Sequence, residues 1–588
     1  MYQENFIMKK VFRKICALLL LGTVAFASAC AGAGGGTFIE DKDYDPDKLN
    51  ITVDVYYGGY GVKWIEEAAK RFNAKSDSVY VTALSEKLDP NGIASDITTG
   101  GSDSVSLYLA SADWASGIYK DCFVDLSDVL QMKPDGESGK TIEQKMKTDK
   151  GVWQKISSKY GQGLYSIPYL FSLLNLVFDY DTFVENNWLS FADANDAAAK
   201  SALAAQGITY TAEGNKLKFV SSTESTLFVE GDYILTAGND GKYGTYDDGQ
   251  PQTLAEFDEM LGKIQAKGVA PFIWSGQNAS YYVESLFNSV FAQYAGVDTY
   301  KTFFSYNSDG KAVKLTDGSQ KVITPDNGYE VFNMDGLDDT VNFAKKYFAN
   351  PAYRHDACND TLCSHIDAQS YYLLGYNGSA NDQESAFLVE GSWWENEAKG
   401  SFRMVEKDGR GYGQRRYRYL VMPTFDGQQN DKPVVNGAVS CSWVINKNVS
   451  KEKQQAAKEF LAYMCSDEIL RLFTTQTGEM LTYDYTLSDS EYDGLTHFAK
   501  CVYQMSNDPQ HVDVFGHELM RNTSPINFAT SKSKNNFVGR VNDITYYSLY
   551  ASLGRNSAEE IFASIRDYYS PSTWASYCEE ARDQGFIL

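Results

Sequence analysis

Nothing in these 588 residues matches a nucleophile elbow, a phosphate-binding loop or an HExxH zinc site. The usual sequence signatures of serine hydrolases, nucleotide-binding enzymes and zinc peptidases are therefore missing. Basic residues are few: 53 Lys and Arg stand against 77 Asp and Glu, a formal charge of −24. A surface this acidic repels nucleic acid and anionic lipid and disfavours anionic ligands in general, a local basic pocket aside. Neutral ligands are favoured and cations allowed. There is no internal repeat and no long low-complexity segment beyond residue 36, so a solenoid is excluded. The apolar run Ile15–Phe26 is too short to span a bilayer comfortably.

That run belongs to an N-terminus with a clear pattern. Lys9, Lys10, Arg13 and Lys14 precede it, and Ala27-Ser28-Ala29-Cys30 and a glycine-rich string to Gly36 follow. A basic head, a short apolar core and small residues at a cleavage point read as a secretory signal over residues 1–29. A cysteine directly after the small residues resembles the lipobox of bacterial lipoproteins, with Ala27 where most have Leu. Acylation at Cys30 would tether the chain to the outer face of a membrane. A diacyl anchor holds firmly, at roughly 0.8 kcal/mol per buried CH2. Residues 30–48 then form a flexible leash. The alternative is plain secretion, with Cys30 incidental.

The length exceeds one ordinary core, so two or more packed units are expected. Ile51, Val53 and Val55 alternate as in a strand, Tyr57–Gly61 reads as a turn, and Val62, Ile65, Ala69 and Phe72 recur at helical spacing. Val79–Leu84 and Val105–Leu109 read as further strands, and Leu173–Phe178 as a buried one. Thr253-Leu254-Ala255-Glu256 is a capping box that opens a helix ended by Gly268, and Val269–Trp274 follows as a strand. The pattern alternates strand and helix, an α/β chain. Seven cysteines remain past Cys30, an odd number, and buried free thiols are the default reading.

Several segments, in order across about residues 49–485, resemble the extracellular solute-binding protein family that feeds sugars to ATP-binding-cassette importers. They are the lipobox, Gly163–Pro168 before an apolar strand, and Ala386-Phe387-Leu388-Val389-Glu390-Gly391-Ser392-Trp393-Trp394. Asn436-Gly437 leading to Trp443–Asn448, Ala456–Leu461 and the trailing Thr475-Gln476-Thr477-Gly478 complete the set. The resemblance implies a two-lobed periplasmic-binding-protein-like α/β fold with an interlobe cleft and several crossovers. Lobe one would hold 49–168 plus 433–485, and lobe two 169–432 plus 486–588. Pro168 and Pro423 fall near the expected crossings. Residues 190–255 and 485–588 exceed the smaller members of the family. The resemblance also implies a monomeric, non-enzymatic carbohydrate-binding lipoprotein, partnered by membrane permease subunits on the extracellular face, with no required cofactor.

Aromatics make up 14% of the chain, and exposed Tyr and Trp offer flat faces to the C–H patches of sugars. Trp393 resembles the cleft aromatic of sugar-binding members. Trp394, Glu395 and Glu397 lie beside it, and the carboxylates could accept sugar hydroxyls. Tyr57 and Tyr60 sit at the end of the first strand, where open α/β sheets bind ligands. Asp113 and Trp114 follow a later strand. Trp274, Gln277 and Asn278, with Tyr281 and Tyr282 just beyond, follow another. For each aromatic the alternative is a place in the core, which is the reading preferred for Trp443. Asp240, Asp247 and Asp248 lie in a loop of Asp, Asn and Gly whose oxygens suit a structural calcium ion, or simply make an Asx/Gly turn. His355, Cys358, Cys363 and His365 are the residue types of a zinc site without its spacing; a Cys358–Cys363 disulfide or four unrelated residues fit better. His497, His511 and His517 form no motif. Two other functional readings are a surface carbohydrate-active enzyme and a sensory or adhesive lipoprotein.

Overall fold

A single sheet ties the molecule together, and two of its strands are long enough to serve both halves. The computed structural model describes residues 46–56, 58–85, 93, 97–98, 105–111, 122–147, 153, 163–220, 229–230, 233–375, 383–516, 526 and 555–583. Cys30, Tyr57, Asp113, Trp114 and His517 lie outside the described residues. The sheet has ten strands among them: β1 (Leu49–Val55), β2 (Val79–Leu84), β3 (Leu107–Ser111), β4 (Ile167–Asp179), β5 (Ala270–Ile273), β6 (Ser385–Gly391), β7 (Tyr417–Tyr419), β8 (Val434–Ile445), β9 (Met480–Leu481) and β10 (Asp513–Gly516). Their order is β2-β1-β3-β8-β4-β6-β5; β7 and β9 also pair with β4, and β10 with β8.

β4 has 13 residues and β8 has 12. At roughly 3.3 Å per residue each runs about 40 Å, enough to pass from one lobe into the other. They pair antiparallel along their middles, from Asn436 opposite Leu174 to Trp443 opposite Ile167. β3 then flanks the C-terminal half of β8, and β6 flanks the C-terminal half of β4. Pro168 sits opposite Ser442, where the register is irregular, as a residue without an N–H requires.

Helices cover the sheet because its strands are apolar on both faces. One large core gathers Trp64, Tyr169, Trp443, Phe460 and Phe473 around the β1–β3 end and continues beneath β4, β6 and β7 to Trp394, Tyr417 and Phe498. A second core lies on the opposite face of the β4–β6–β5 end, where Leu176 and Phe178 alternate with Val177. It is filled by the helices Leu254–Ala266, Ala279–Ala295 and Leu337–Tyr347. The first opens with the expected capping box: Thr253 Oγ1 accepts from the Glu256 amide and Glu256 reaches back to the Thr253 amide, each at 3.3 Å.

The two lengths of chain in excess of smaller family members each have a place. Helix Ala197–Ala205 and a four-stranded sheet formed by Tyr210–Glu213, Lys216–Phe219, Tyr233–Ile234 and Val229–Glu230 enclose a small core of Leu203, Leu217, Ile234 and Tyr243. Near the C-terminus, helices Ala558–Tyr568 and Pro571–Asp583 send Phe562 and Trp574 into the second core, whereas Phe498 and Val502 enter the first. Seven cysteines, Cys122 to Cys578, are free thiols, six of them buried. Cys358 and Cys363 are among these, so they form no disulfide with each other. Among the described residues no helix is long and apolar enough to cross a membrane.

Candidate ligand-binding cleft

Strand direction decides where a ligand can sit. β1 and β3 are parallel, and β3 advances along β8 toward Cys441. β5 and β6 are parallel, and β6 advances along β4 toward Leu174. The C-terminal ends of all four strands thus point at the crossing of β4 and β8 from opposite sides. Two of the loops that leave them, Gly58–Tyr60 after β1 and Ser392–Glu397 after β6, meet at one gap, whereas Ser275–Asn278 after β5 is bonded to the Cys363 carbonyl. Ligands of open α/β sheets bind outside such carboxyl ends.

The floor of the gap is a hydrogen-bonded cluster at the crossing. The Tyr60 hydroxyl lies 2.8 Å from Ser172 Oγ on β4 and 2.9 Å from Ser440 Oγ on β8. Burial, and then the nearby Glu479, push the Tyr60 phenol well above its usual range, so it stays neutral. Tyr60 is therefore not a stacking face: its ring packs toward Phe473 inside the first core. Ser392 Oγ accepts from the Leu173 amide at 3.0 Å and donates to Glu479 Oε2 at 2.7 Å. Glu479 is 0% exposed, and burial pushes its carboxyl up to about 8.

Trp393 is half-buried at this gap. Its ring folds over Gly391 and touches the turn after β1. A Cβ at Gly59 would lie 2.6 Å from Trp393 Cδ1, and one at Gly391 2.3 Å from its Cη2. Both positions need glycine because the indole occupies that space. Asn396 donates to the Gly59 carbonyl and holds the two loops together. Trp393 and the Gly58–Tyr60 segment are thus in contact.

Other expected site residues are placed elsewhere. Trp274 is 0% exposed in the second core, because it continues β5 with its side chain on the inward face alongside Phe272. Trp394 is also 0% exposed, ringed by Tyr372, Phe402, Tyr417 and Phe498. The turn from strand into the short helix Trp394–Glu397 sends adjacent tryptophans to opposite sides. Glu395 is buried with Oε2 2.5 Å from Thr496 Oγ1, and burial pushes it up to about 7. One carboxyl oxygen is thus taken by that threonine, and the other is buried. Gln277 is exposed and Asn278 half-buried in the loop after β5.

Sequence reasoning named Glu397 but missed its buried neighbour Glu390. Glu390 accepts from its neighbour Gly391 at 2.9 Å and from Gln369 Nε2 at 3.2 Å, and Tyr282 also bonds it. The same Gln369 nitrogen donates to Glu397 at 2.8 Å, and His365 lies 3.6 Å beyond. Burial, and then the Glu397 charge, raise the Glu390 carboxyl well above the ordinary range. Glu390 lies within one segment that carries the family resemblance, Ala386–Trp394, and Glu479 adjoins another, Thr475–Gly478. A carboxyl in an otherwise apolar strand was the available signal for Glu390.

The Asp/Gly loop uses its carboxylates on itself. Asp247 Oδ2 accepts from the amides of Asn239 (2.6 Å) and Asp240 (3.1 Å), and Asp248 Oδ2 from those of Gly244 (3.0 Å) and Thr245 (2.8 Å). Burial, and then Asp240, push Asp247 up to about 6. Among the described residues no group of three His, Cys, Asp or Glu side chains is arranged to hold a metal ion. Asp240, Asp247 and Asp248 are thus not set as calcium ligands. His355 accepts from the Ala357 amide and contacts the Gln383 carbonyl, which occupies both of its ring nitrogens.

Residues 250–482 match the model of the family described as bacterial extracellular solute-binding protein. No curated protein matches the sequence. A solved structure from work on xylan utilization by the thermophilic bacterium Caldanaerobius polysaccharolyticus has 12% identity and a TM-score of 0.52, over 89% of this chain and 100% of that one. A probable secreted solute-binding lipoprotein from Streptomyces coelicolor has 12% identity and a TM-score of 0.50, over 89% of this chain and 99% of that one. The fold, two α/β lobes with their strand ends turned toward one gap, is that of the bacterial extracellular solute-binding proteins, the family whose model residues 250–482 match.

Proposed function

We propose that this protein is the lipid-anchored binding component of a carbohydrate ATP-binding-cassette importer. It captures a mono- or oligosaccharide between its lobes and releases it unchanged to a permease. One observation carries the reading: a half-buried tryptophan ring, Trp393, stands at the gap where the strand ends meet, next to a floor of neutral hydroxyls. A flat indole suits the C–H face of a pyranose, and Tyr, Ser and amide groups suit its hydroxyls. The link of one structural neighbour to xylan utilization supports a sugar as the guest. Rigid-body swing about β4 and β8 closes the gap, as in hinged binding proteins. The lipobox at Cys30 supports a place on the outer face of the cell membrane.

The test is a thermal-shift screen of the purified protein against a broad glycan panel, followed by calorimetry on each hit. At least one mono- or oligosaccharide should raise the melting temperature, with micromolar affinity, about −8 kcal/mol. Trp393→Ala should weaken that binding by roughly tenfold or more, since a stacked aromatic contributes about 1–3 kcal/mol. A panel without a single stabilising sugar overturns the proposal.

A further inference from the structure

Two carboxyls close a ring around the turn that carries Trp393. Glu390 lies at the end of β6, Glu397 ends the short helix Trp394–Glu397, and Ser392 and Trp393 lie in the segment between them. One side chain bridges the two ends. Gln369, fully buried on the helix His365–Leu374, donates from a single amide nitrogen to Glu397 Oε2 at 2.8 Å and to Glu390 Oε2 at 3.2 Å. That nitrogen carries two hydrogens, so it serves both acceptors. The Gln369 oxygen, also buried, has no hydrogen-bond partner, so the polar contacts of the amide are spent on the carboxyls. Glu390 is buried, whereas Glu397 is half-buried and has the half-buried His365 ring 3.6 Å away. The cluster thus runs from a dry inner acid to a wetter outer one.

The surroundings accommodate one negative charge here, not two. Among the described residues no Lys or Arg pairs with either carboxyl; His365 is the nearest basic group, and it faces Glu397. The other groups that face Glu390 are neutral. Tyr282, with Tyr281 beside it, comes from the helix Ala279–Ala295 and bonds the carboxyl. Tyr419, from β7, donates its hydroxyl to the Glu390 carbonyl at 3.0 Å. Asn175, opposite on β4, spends its side chain on Leu420 and Leu176. Glu479, another acid raised by burial, lies beyond Tyr419. Two carboxylates on one neutral amide repel each other, and the inner one bears the larger desolvation cost. The proton therefore sits on Glu390, with the Tyr282 hydroxyl as its hydrogen-bond partner, and Glu397 keeps its charge toward His365 and water.

We propose that Glu390, Gln369 and Glu397 are positioning residues for Trp393, a clasp that one shared proton holds shut. With the proton in place, the Gln369 amide draws the end of β6 and the following helix together, and the turn between them keeps the indole at the gap. Without it, two charges face each other across a neutral amide, the clasp loosens and Trp393 shifts from its place over Gly391. Ser392 and Asn396 still tie the same turn to Leu173 and Gly59, so the release is a local shift and not an unfolding. Sugar binding and protonation of the pair are then linked: affinity falls as the pair ionises, and bound sugar makes the proton harder to remove. The functional part of this inference rests on the reading of Trp393 as the face that meets the ligand.

Fluorine NMR on the full mature chain, labelled with fluorotryptophan, reads Trp393 without any sugar. Its resonance is the one lost in Trp393→Phe. In the wild type that resonance should move in a step as pH rises from about 6 to about 10. Glu397→Gln allows the pair only one charge at any pH and should remove the step. Gln369→Met removes the shared amide and should move the resonance toward its alkaline position already at about pH 6. A sugar that the glycan panel identifies should bind the wild type about fivefold or more weakly at the alkaline end, and Glu397→Gln should show a smaller fall. The proposal is overturned if the wild-type resonance does not move, if the step survives unchanged in Glu397→Gln (as it would were Glu479 its source), or if Gln369→Met behaves as the wild type. Should the panel return no sugar, the resonance still reports the clasp, so failure of this inference and failure of the cleft reading are separable.

Discussion

Glu479→Gln should flatten the pH dependence of stability. Glu479 is fully buried at the strand crossing, where its carboxyl accepts from the Ser392 hydroxyl and lies by the Met480 amide. Burial raises its carboxyl from 4.5 in the unfolded chain to about 8 in the folded one. The folded state therefore keeps a proton that the unfolded state releases. The stability from this group is fully present below the unfolded value and is lost as pH rises through the folded one. Between about pH 5 and about pH 8 the loss amounts to about 3 kcal/mol, at 1.36 kcal/mol per pKa unit. Glutamine keeps an acceptor for Ser392 but cannot titrate. Urea unfolding of both proteins across this range is the assay. The wild-type decline in stability should exceed that of the variant by about 3 kcal/mol. Glu390 and Glu395 are raised in the same direction, so some slope should remain in the variant. Identical slopes in the two proteins would mean that Glu479 ionises freely, and the description of a dry crossing would be wrong.

The two adjacent tryptophans should separate binding from stability. Trp394→Ala empties a fully buried site and should cost about 3–5 kcal/mol in denaturant unfolding, whereas Trp393→Ala should cost much less stability and act on ligand affinity. Gly59→Ala sets a methyl 2.6 Å from the Trp393 ring, an overlap of about 0.8 Å that costs about 1–3 kcal/mol. Because that contact joins the loops on either side of the gap, sugar affinity by calorimetry should fall by about five- to a hundredfold. A lower melting temperature with unchanged affinity would place the contact outside the closing motion.

Much of the architecture was legible in the sequence. Alternation in Ile51–Val55, the apolar run Leu173–Phe178 and the capping box at Thr253 each report a local requirement, and each forms where its pattern lies. The length of β4 was not legible. Pro168 and Ser172 interrupt the apolar pattern at the first half of the strand, yet pairing with β8 carries the ladder through both. Side-chain fate was read less well than backbone. Trp274, Trp393 and Trp394 share one residue type and similar neighbours in sequence. Which of them meets solvent depends on what packs above each, and residues 498, 372 and 417 are remote from Trp394 in the chain or separated by other elements. The Asp/Gly loop was open to two readings, a cation site or an Asx/Gly turn, and its carboxylates accept from its own backbone amides.

Sequence alone determined the α/β class, the acidic composition and the ordered segments that carry the family resemblance, because each depends on periodicity, composition or spacing within a short stretch. Tertiary structure alone decided that Tyr60 closes the crossing from inside, that Trp393 faces the gap while Trp394 does not, and that Glu390 and Glu479 are buried acids. Burial and charge are set by chain segments tens to hundreds of residues apart, and no local pattern encodes that proximity.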